Sequence, residues 1–350
     1  MIMKDGTIRL GLIGAGRIGR LHAENLRHRV PGAELVAVCD VNEAAARECA
    51  ARCGIASWGA DHRPVVERPD VDAVVVCSST DTHTRVIEDA GAAGKHVFCE
   101  KPIDPDLGRI DRAVGAMRRA GRILQVGFNR RFDANFARIR RAVAAGEIGT
   151  PHQVHIISRD PGPPPIEYVR RSGGIFMDMT IHDFDMAHFL MADAVTEVFA
   201  TGGVRVDPAI GEAGDLDTAT LVLRFAGGAV AVIENCRQAV YGYDQRVEVF
   251  GSGGTIRAEN NHPNNVTVAT RENVRRDLPL HFFLERYAES YVEEIRAFLE
   301  AIRTGGPSPV SGEDGRVPVV IAMAARRSVE LNRPVRLAEV DVTQAAGSAR

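Results

Sequence analysis

The feature that most constrains this chain is Gly14-Ala15-Gly16-Arg17-Ile18-Gly19, set between the apolar run 8–13 and a helical stretch reaching about Arg27. A glycine triplet alone is weak evidence. Here a buried strand precedes it, a helix follows, and a second strand-like run, 34–39, completes the unit. In such a turn Gly14 permits the sharp reversal, Gly16 lets backbone approach a pyrophosphate, and Gly19 lets helix pack on strand. The helix start offers N–H groups and partial positive charge to the phosphates. Asp40 ends the second strand about twenty residues on, where a carboxylate would meet a ribose 2′-hydroxyl. It would repel the 2′-phosphate of NADP, and Val41 and Asn42 supply no arginine to bind one. The plainer reading of Asp40 is a turn residue or helix cap. Together Gly14, Ala15, Gly16, Arg17, Ile18 and Asp40 predict a site for NAD.

Strand-like and helix-like segments keep alternating through the first third. Helices are predicted over 43–53, 84–93 and 106–120, and strands over 73–77, 96–99 and 123–127. The unbroken Ala73-Val74-Val75-Val76-Cys77 suits a parallel sheet covered on both faces. This rhythm predicts a doubly wound α/β domain of Rossmann type over 1–130. Beyond it, strand-like runs follow one another at 153–157, 197–201, 219–225, 229–234, 247–250 and 266–269, with glycine turns between several. A second, α+β domain with a large, mostly antiparallel sheet is expected over 131–340, closed by helices over 284–303 and 317–331.

Composition excludes more than it selects. A formal charge of −3 leaves no basic footprint for nucleic acid or an anionic membrane. No apolar run approaches a bilayer span, and the start lacks the core of a secretory signal. Cys39, Cys77 and Cys99 end apolar runs, where a thiol acts as a small hydrophobe. Cys49 and Cys53 lack further ligands nearby, so no metal site is expected. Free cysteines suit a reducing cytosol.

Two further segments carry polar chemistry. Glu100-Lys101-Pro102 follows an apolar strand, and open parallel sheets bind ligands beyond those strand ends. The plainer reading is a surface lysine. In Gly173 through Asp185, Asp178 and His182 stand four apart and would share one helix face. A carboxylate beside an imidazole can fix its tautomer and raise its basicity, as a general base requires. A surface ion pair is the plainer alternative. Asp183 and Asp185 read better as caps or partners to arginines.

The glycine turn, Ser78-Ser79-Thr80-Asp81-Thr82-His83, Glu100-Lys101-Pro102 and Gly173 through Asp185 together resemble the glucose–fructose oxidoreductase/inositol dehydrogenase/MocA family. The likeness runs from about Ile8 to Leu337. Ser158-Arg159-Asp160-Pro161 and Tyr241 through Arg246 are similar to its inositol-oxidising branch. The resemblance implies a Rossmann domain, a C-terminal sheet domain, and a homotetramer joined through those sheets. It implies an active site of Lys101, Asp178 and His182, with Ser79, Thr80, His83, Glu100 and Lys101 along the cofactor.

These residues suit oxidation of a ring alcohol, and the resemblance implies myo-inositol as its substrate. His182 would take the hydroxyl proton, Asp178 orient it, and Lys101 stabilise the developing alkoxide. Arg130, His155 and Tyr241 are candidates to bind substrate hydroxyls. A dehydrogenase of another sugar or inositol isomer remains open, as does a catalytically silent NAD-binding sensor.

Overall fold

The computed structural model describes residues 6–341. They form two compact units, 6–129 with 289–317, and 130–288 with 318–341.

In the first unit, β1 (Ile8–Ile13) feeds α1 (Arg17–His28), β2 (Ala33–Cys39), α2 (Glu43–Cys53) and β3 (Ser57–Gly59). Then come α3 (Arg63–Val66), β4 (Ala73–Val76), α4 (Thr80–Ala92), β5 (His96–Glu100), α5 (Leu107–Ala120) and β6 (Leu124–Gly127). The six strands are parallel in the order β3-β2-β1-β4-β5-β6, the doubly wound arrangement whose order reverses beside β1. Local chemistry sets the helix ends. Asp106 Oδ1 accepts from Arg109 N at 2.8 Å to cap α5, which stops at left-handed Gly121. Helix α4 begins at Thr80, four residues ahead of expectation, because Ser79-Thr80-Asp81 forms a polar first turn with no apolar period to announce it.

The second unit opens with α6 (Ala134–Ala144), β7 (Pro151–Arg159), α7 (Ile166–Val169), α8 (Gly174–Asp178) and α9 (Ile181–Met191). It continues through β8 (Val195–Gly203), α10 (Pro208–Glu212), β9 (Thr218–Phe225), β10 (Val230–Cys236), β11 (Asp244–Gly251) and β12 (Gly254–Ala258). Strands β13 (Thr267–Ala269) and β14 (Val274–Arg276) form a ribbon of their own, so the expected run 266–269 does not join the main sheet. After α11 (Phe283–Arg286) come α12 (Ala288–Thr304), α13 (Gly312–Leu331) and β15 (Val335–Arg336). The main sheet runs β12-β11-β7-β10-β9-β8-β15. All its pairs are antiparallel except β7 with β10. Alternation along β7 buries Val154, Ile156 and Ser158 on one face. On the other face Phe250 is exposed and Ile157 and Val232 are half-buried.

One boundary departs from the sequence reading, which placed both C-terminal helices in the second domain. Val292, Ile295, Phe298, Leu299 and Ile302 of α12 instead complete the first unit's core with Ile8, Leu10, Leu12, Leu26 and Phe98. Phe98 and Phe298 meet edge to face at 6.0 Å. Burial of each such side chain contributes about 1.5–3 kcal/mol, and hydrophobic spacing along a helix does not say which sheet it will cover.

Candidate active site

The glycine turn is tightly built. Gly14 has φ 97°, and a Cβ there would stand 2.4 Å from Ser78 N. A Cβ on Gly19 would stand 1.9 Å from Gly14 O. Around Gly16, the N-cap of α1, a Cβ would meet nothing within 4 Å, which leaves room for a phosphate against the helix start. Asp40 accepts from Ala15 N at 2.7 Å and from Asn42 N at 2.8 Å, so it ties the turn to the end of β2. Each carboxylate oxygen keeps a lone pair for a ribose hydroxyl. Val41 beside it is 92% exposed. The turn therefore fits a dinucleotide.

Ser79 holds the N-cap position of α4 without a side-chain capping bond, and Thr80 opens the helix. His83 is buried, with Nδ1 2.9 Å from Pro102 O and Nε2 2.9 Å from Ser78 O. Burial pulls its pKa down against those two carbonyls, which favours the neutral ring and leaves one N–H to donate. With both nitrogens aimed at backbone, His83 ties Ser78 to the turn after Lys101. Lys101 itself leaves the end of β5, half-buried and joined to Pro102 by a cis peptide.

In the second unit Asp178 and His182 do not ride one continuous helix. Asp178 ends α8 and His182 lies in the first turn of α9. Thr180 makes the break: its Oγ1 and its backbone N both donate to Ile175 O, at 3.2 and 2.9 Å. The Asp178 carboxylate accepts from Tyr168 Oη at 2.7 Å and from Arg237 Nη1 at 3.2 Å. Arg237 is 1% exposed, and its Nη2 lies 3.5 Å from Asp215 Oδ2. Nearby Asp160 is pushed up to about 6 by burial, with Arg237 pulling it down and Asp178 pushing it up. Sequence reasoning missed the parts of Tyr168, Arg237 and Asp215. The one available signal was an arginine directly after the apolar strand β10.

Arg130, His155 and Tyr241 fall into two separate sets. Arg130 is buried, donates to Asp183 Oδ1 at 2.7 Å and to Tyr243 Oη at 3.2 Å, and lies near Ser158 Oγ. Arg131 pairs with Asp185 at 2.6 Å, so both aspartates of this stretch meet arginines. His155 lies on the other face of β7, its Nε2 2.9 Å from Glu234 Oε1. Glu234 Oε2 accepts from Arg159, whose Nη1 reaches Tyr241 Oη at 3.1 Å. Tyr241 donates in turn to Asp244 Oδ2 at 2.5 Å. The three candidates thus do not share one wall. Sequence adjacency cannot reveal which strand face a residue takes.

A parallel six-stranded sheet with this glycine turn defines a dinucleotide-binding domain of Rossmann type. Residues 8–128 match the oxidoreductase family with an NAD-binding Rossmann fold, and residues 136–257 match the GFO/IDH/MocA C-terminal domain. The chain belongs to the GFO/IDH/MocA family. It is 50% identical to myo-inositol 2-dehydrogenase of Thermotoga maritima, over 95% of this chain and 99% of that protein. It is 46% identical to inositol 2-dehydrogenase of Rhizobium meliloti, over 95% and 100%. Among solved structures, a probable dehydrogenase from Thermotoga maritima superposes with a TM-score of 0.94 at 50% identity, over 95% of this chain and all of that one. The scyllo-inositol dehydrogenase of Lactobacillus casei, solved with NAD(H) and scyllo-inositol, gives 0.89 at 31% identity, over 95% and 98%.

Proposed function

We propose that the protein oxidises a ring secondary alcohol of an inositol with NAD, converting myo-inositol to its 2-keto form. The observation that carries this reading is the double anchoring of Asp178 by Tyr168 and Arg237, just before the helix that bears His182. A carboxylate held in that way can orient a neighbouring imidazole. The names of the Thermotoga and Rhizobium relatives support the substrate. The likeness to a scyllo-inositol dehydrogenase makes that isomer the natural competitor.

In this reading His182 receives the hydroxyl proton and Asp178 fixes the ring that receives it. The Lys101 ammonium hydrogen-bonds the same oxygen as negative charge grows on it. Bound NAD supplies the hydride acceptor, nicotinamide C4. NAD reduction with a panel of inositols, hexoses and amino sugars tests the proposal: turnover should be highest with myo-inositol, and turnover on a hexose alone would overturn the substrate. The half-open sheet face bearing Val232 and Phe250 supports assembly as a homotetramer, which light scattering would check. The six free cysteines support a reducing, cytoplasmic setting.

A further inference from the structure

Three titratable side chains that take no part in the proton and hydride transfers meet inside the first unit. His22 comes from α1, Glu100 from the end of β5 and Glu294 from α12. His22 Nε2 lies 2.9 Å from Glu100 Oε1 and 3.9 Å from Glu294 Oε1. The imidazole and the Glu294 carboxyl are fully buried, while Glu100 keeps 13% of its side chain exposed. Neither oxygen of Glu294 has a hydrogen-bond partner, nor has Nδ1 of His22. Phe98 and Tyr291 stand edge-on to the imidazole, at 5.2 and 5.7 Å. The thiols of Cys77 and Cys99 are the other titratable groups nearby, and burial pushes both well up, so they stay neutral.

No arginine or lysine is paired with Glu294 among the described residues; the charge that bears on it is that of Glu100, of the same sign. Burial and like charge both oppose ionisation, and a carboxyl so placed takes up a proton instead. Glu100 differs. It reaches the edge of the interior and accepts the Nε2 proton of His22. Its neighbour in the chain is Lys101.

We propose that His22 and Glu294 are positioning residues for the Lys101 end of β5: His22 donates to Glu100, and Glu294 backs the imidazole as an uncharged acid. A charge on Glu294 would act against Glu100 across the imidazole and shift the strand end, and an uncharged acid at Glu294 removes that repulsion. The inference rests on the reading of Lys101 as a contributor to catalysis. The competing arrangement is a buried divalent cation, since the three ligand atoms lie within 4.8 Å of one another.

Two measurements on the full-length enzyme separate these cases. The first is thermal unfolding of wild type and Glu294→Gln from pH 5.5 to 8.5, which involves no catalysis. An acid kept protonated in the fold but ionised in the unfolded chain loses stability as pH rises, whereas glutamine does not. The melting temperature of the variant should therefore gain on wild type by about 2 °C per pH unit. A variant destabilised equally at every pH would overturn the proposal, as would a stoichiometric metal in the purified protein. The second compares His22→Phe, which keeps the ring packing, with His22→Gln, which keeps a donor. Phenylalanine should lower kcat about tenfold with the KM for NAD little changed. Glutamine should recover most of that loss. Equal kcat in both variants would overturn the positioning role. Unimpaired turnover in Lys101→Ala would instead discredit the reading of Lys101 and leave the unfolding result standing.

Discussion

Arg237 Nη1 lies 3.2 Å from Asp178 Oδ2 while its Nη2 lies 3.5 Å from Asp215 Oδ2, so one buried guanidinium holds two carboxylates apart and in place. Removing it leaves two acids facing each other with their shared cation gone. Arg237→Leu should cost about 3–5 kcal/mol of stability, as broken buried pairs do. Calorimetry checks this. Arg237→Lys should keep part of the stability but lose the two-pronged geometry, and kcat should fall with it.

Asp160 supplies a pH signature. Its carboxyl, raised to about 6 by burial, holds a proton in the folded protein that the unfolded chain releases nearer 4. Its contribution is therefore present in full below about 4 and lost as pH rises through about 6. Asp160→Asn should flatten the fall in stability over that window. An unchanged slope would show that another group titrates there.

The roles of His182 and Lys101 separate by pH profile more cleanly than by rate. His182→Ala should lower kcat by roughly 10²–10⁴, the usual worth of general acid–base catalysis, with NAD binding retained. Asp178→Asn should lose less. In wild type kcat/KM for oxidation should rise with pH through a single ionisation, and His182→Ala should abolish that limb. A limb that survives in His182→Ala and disappears in a Lys101 variant would reverse the assignment.

The proposed ribose contact of Asp40, whose two oxygens accept from Ala15 N and Asn42 N, sets a test of cofactor choice. Asp40→Ser with Val41→Arg should narrow the preference for NAD over NADP. It should also raise the KM for both, because the tie to the glycine turn is lost. Equal wild-type turnover with the two cofactors would remove the ribose assignment.

Arg130 and His155 should respond in opposite ways. Arg130→Ala strands Asp183 in the interior and should cost about 3–5 kcal/mol. His155→Ala, on the half-open face, should leave stability within about 0.5 kcal/mol. A change in KM without a change in melting temperature at Arg130 would instead support it as a substrate contact.

How much of this was legible in the sequence depends on whether a feature was local. The glycine turn, the buried run Ala73–Val76 and the expectation that Asp183 and Asp185 meet arginines are each carried by near neighbours or by composition. Thr180 shows the limit: two hydrogen bonds to Ile175 O break the helix between Asp178 and His182, and threonine is tolerated in either outcome. Arg237 lies beyond reach for another reason. It is far from Asp178 along the chain and is joined to it only once β10 and α8 have folded. The face taken by His155 follows from the register of β7 in its sheet, which alternation alone leaves undetermined.

The membership of α12 in the first unit bears on how the protein is made. A ribosome that has released every strand of the parallel sheet, through Gly127, has not yet produced Val292, Ile295 or Phe298. The growing chain must therefore carry an unsealed apolar surface around Leu10, Leu26 and Phe98 while more than half of its length is still to come. A gene fragment cut at the end of β6 would encode the whole nucleotide sheet yet leave that surface bare, a recipe for aggregation during expression.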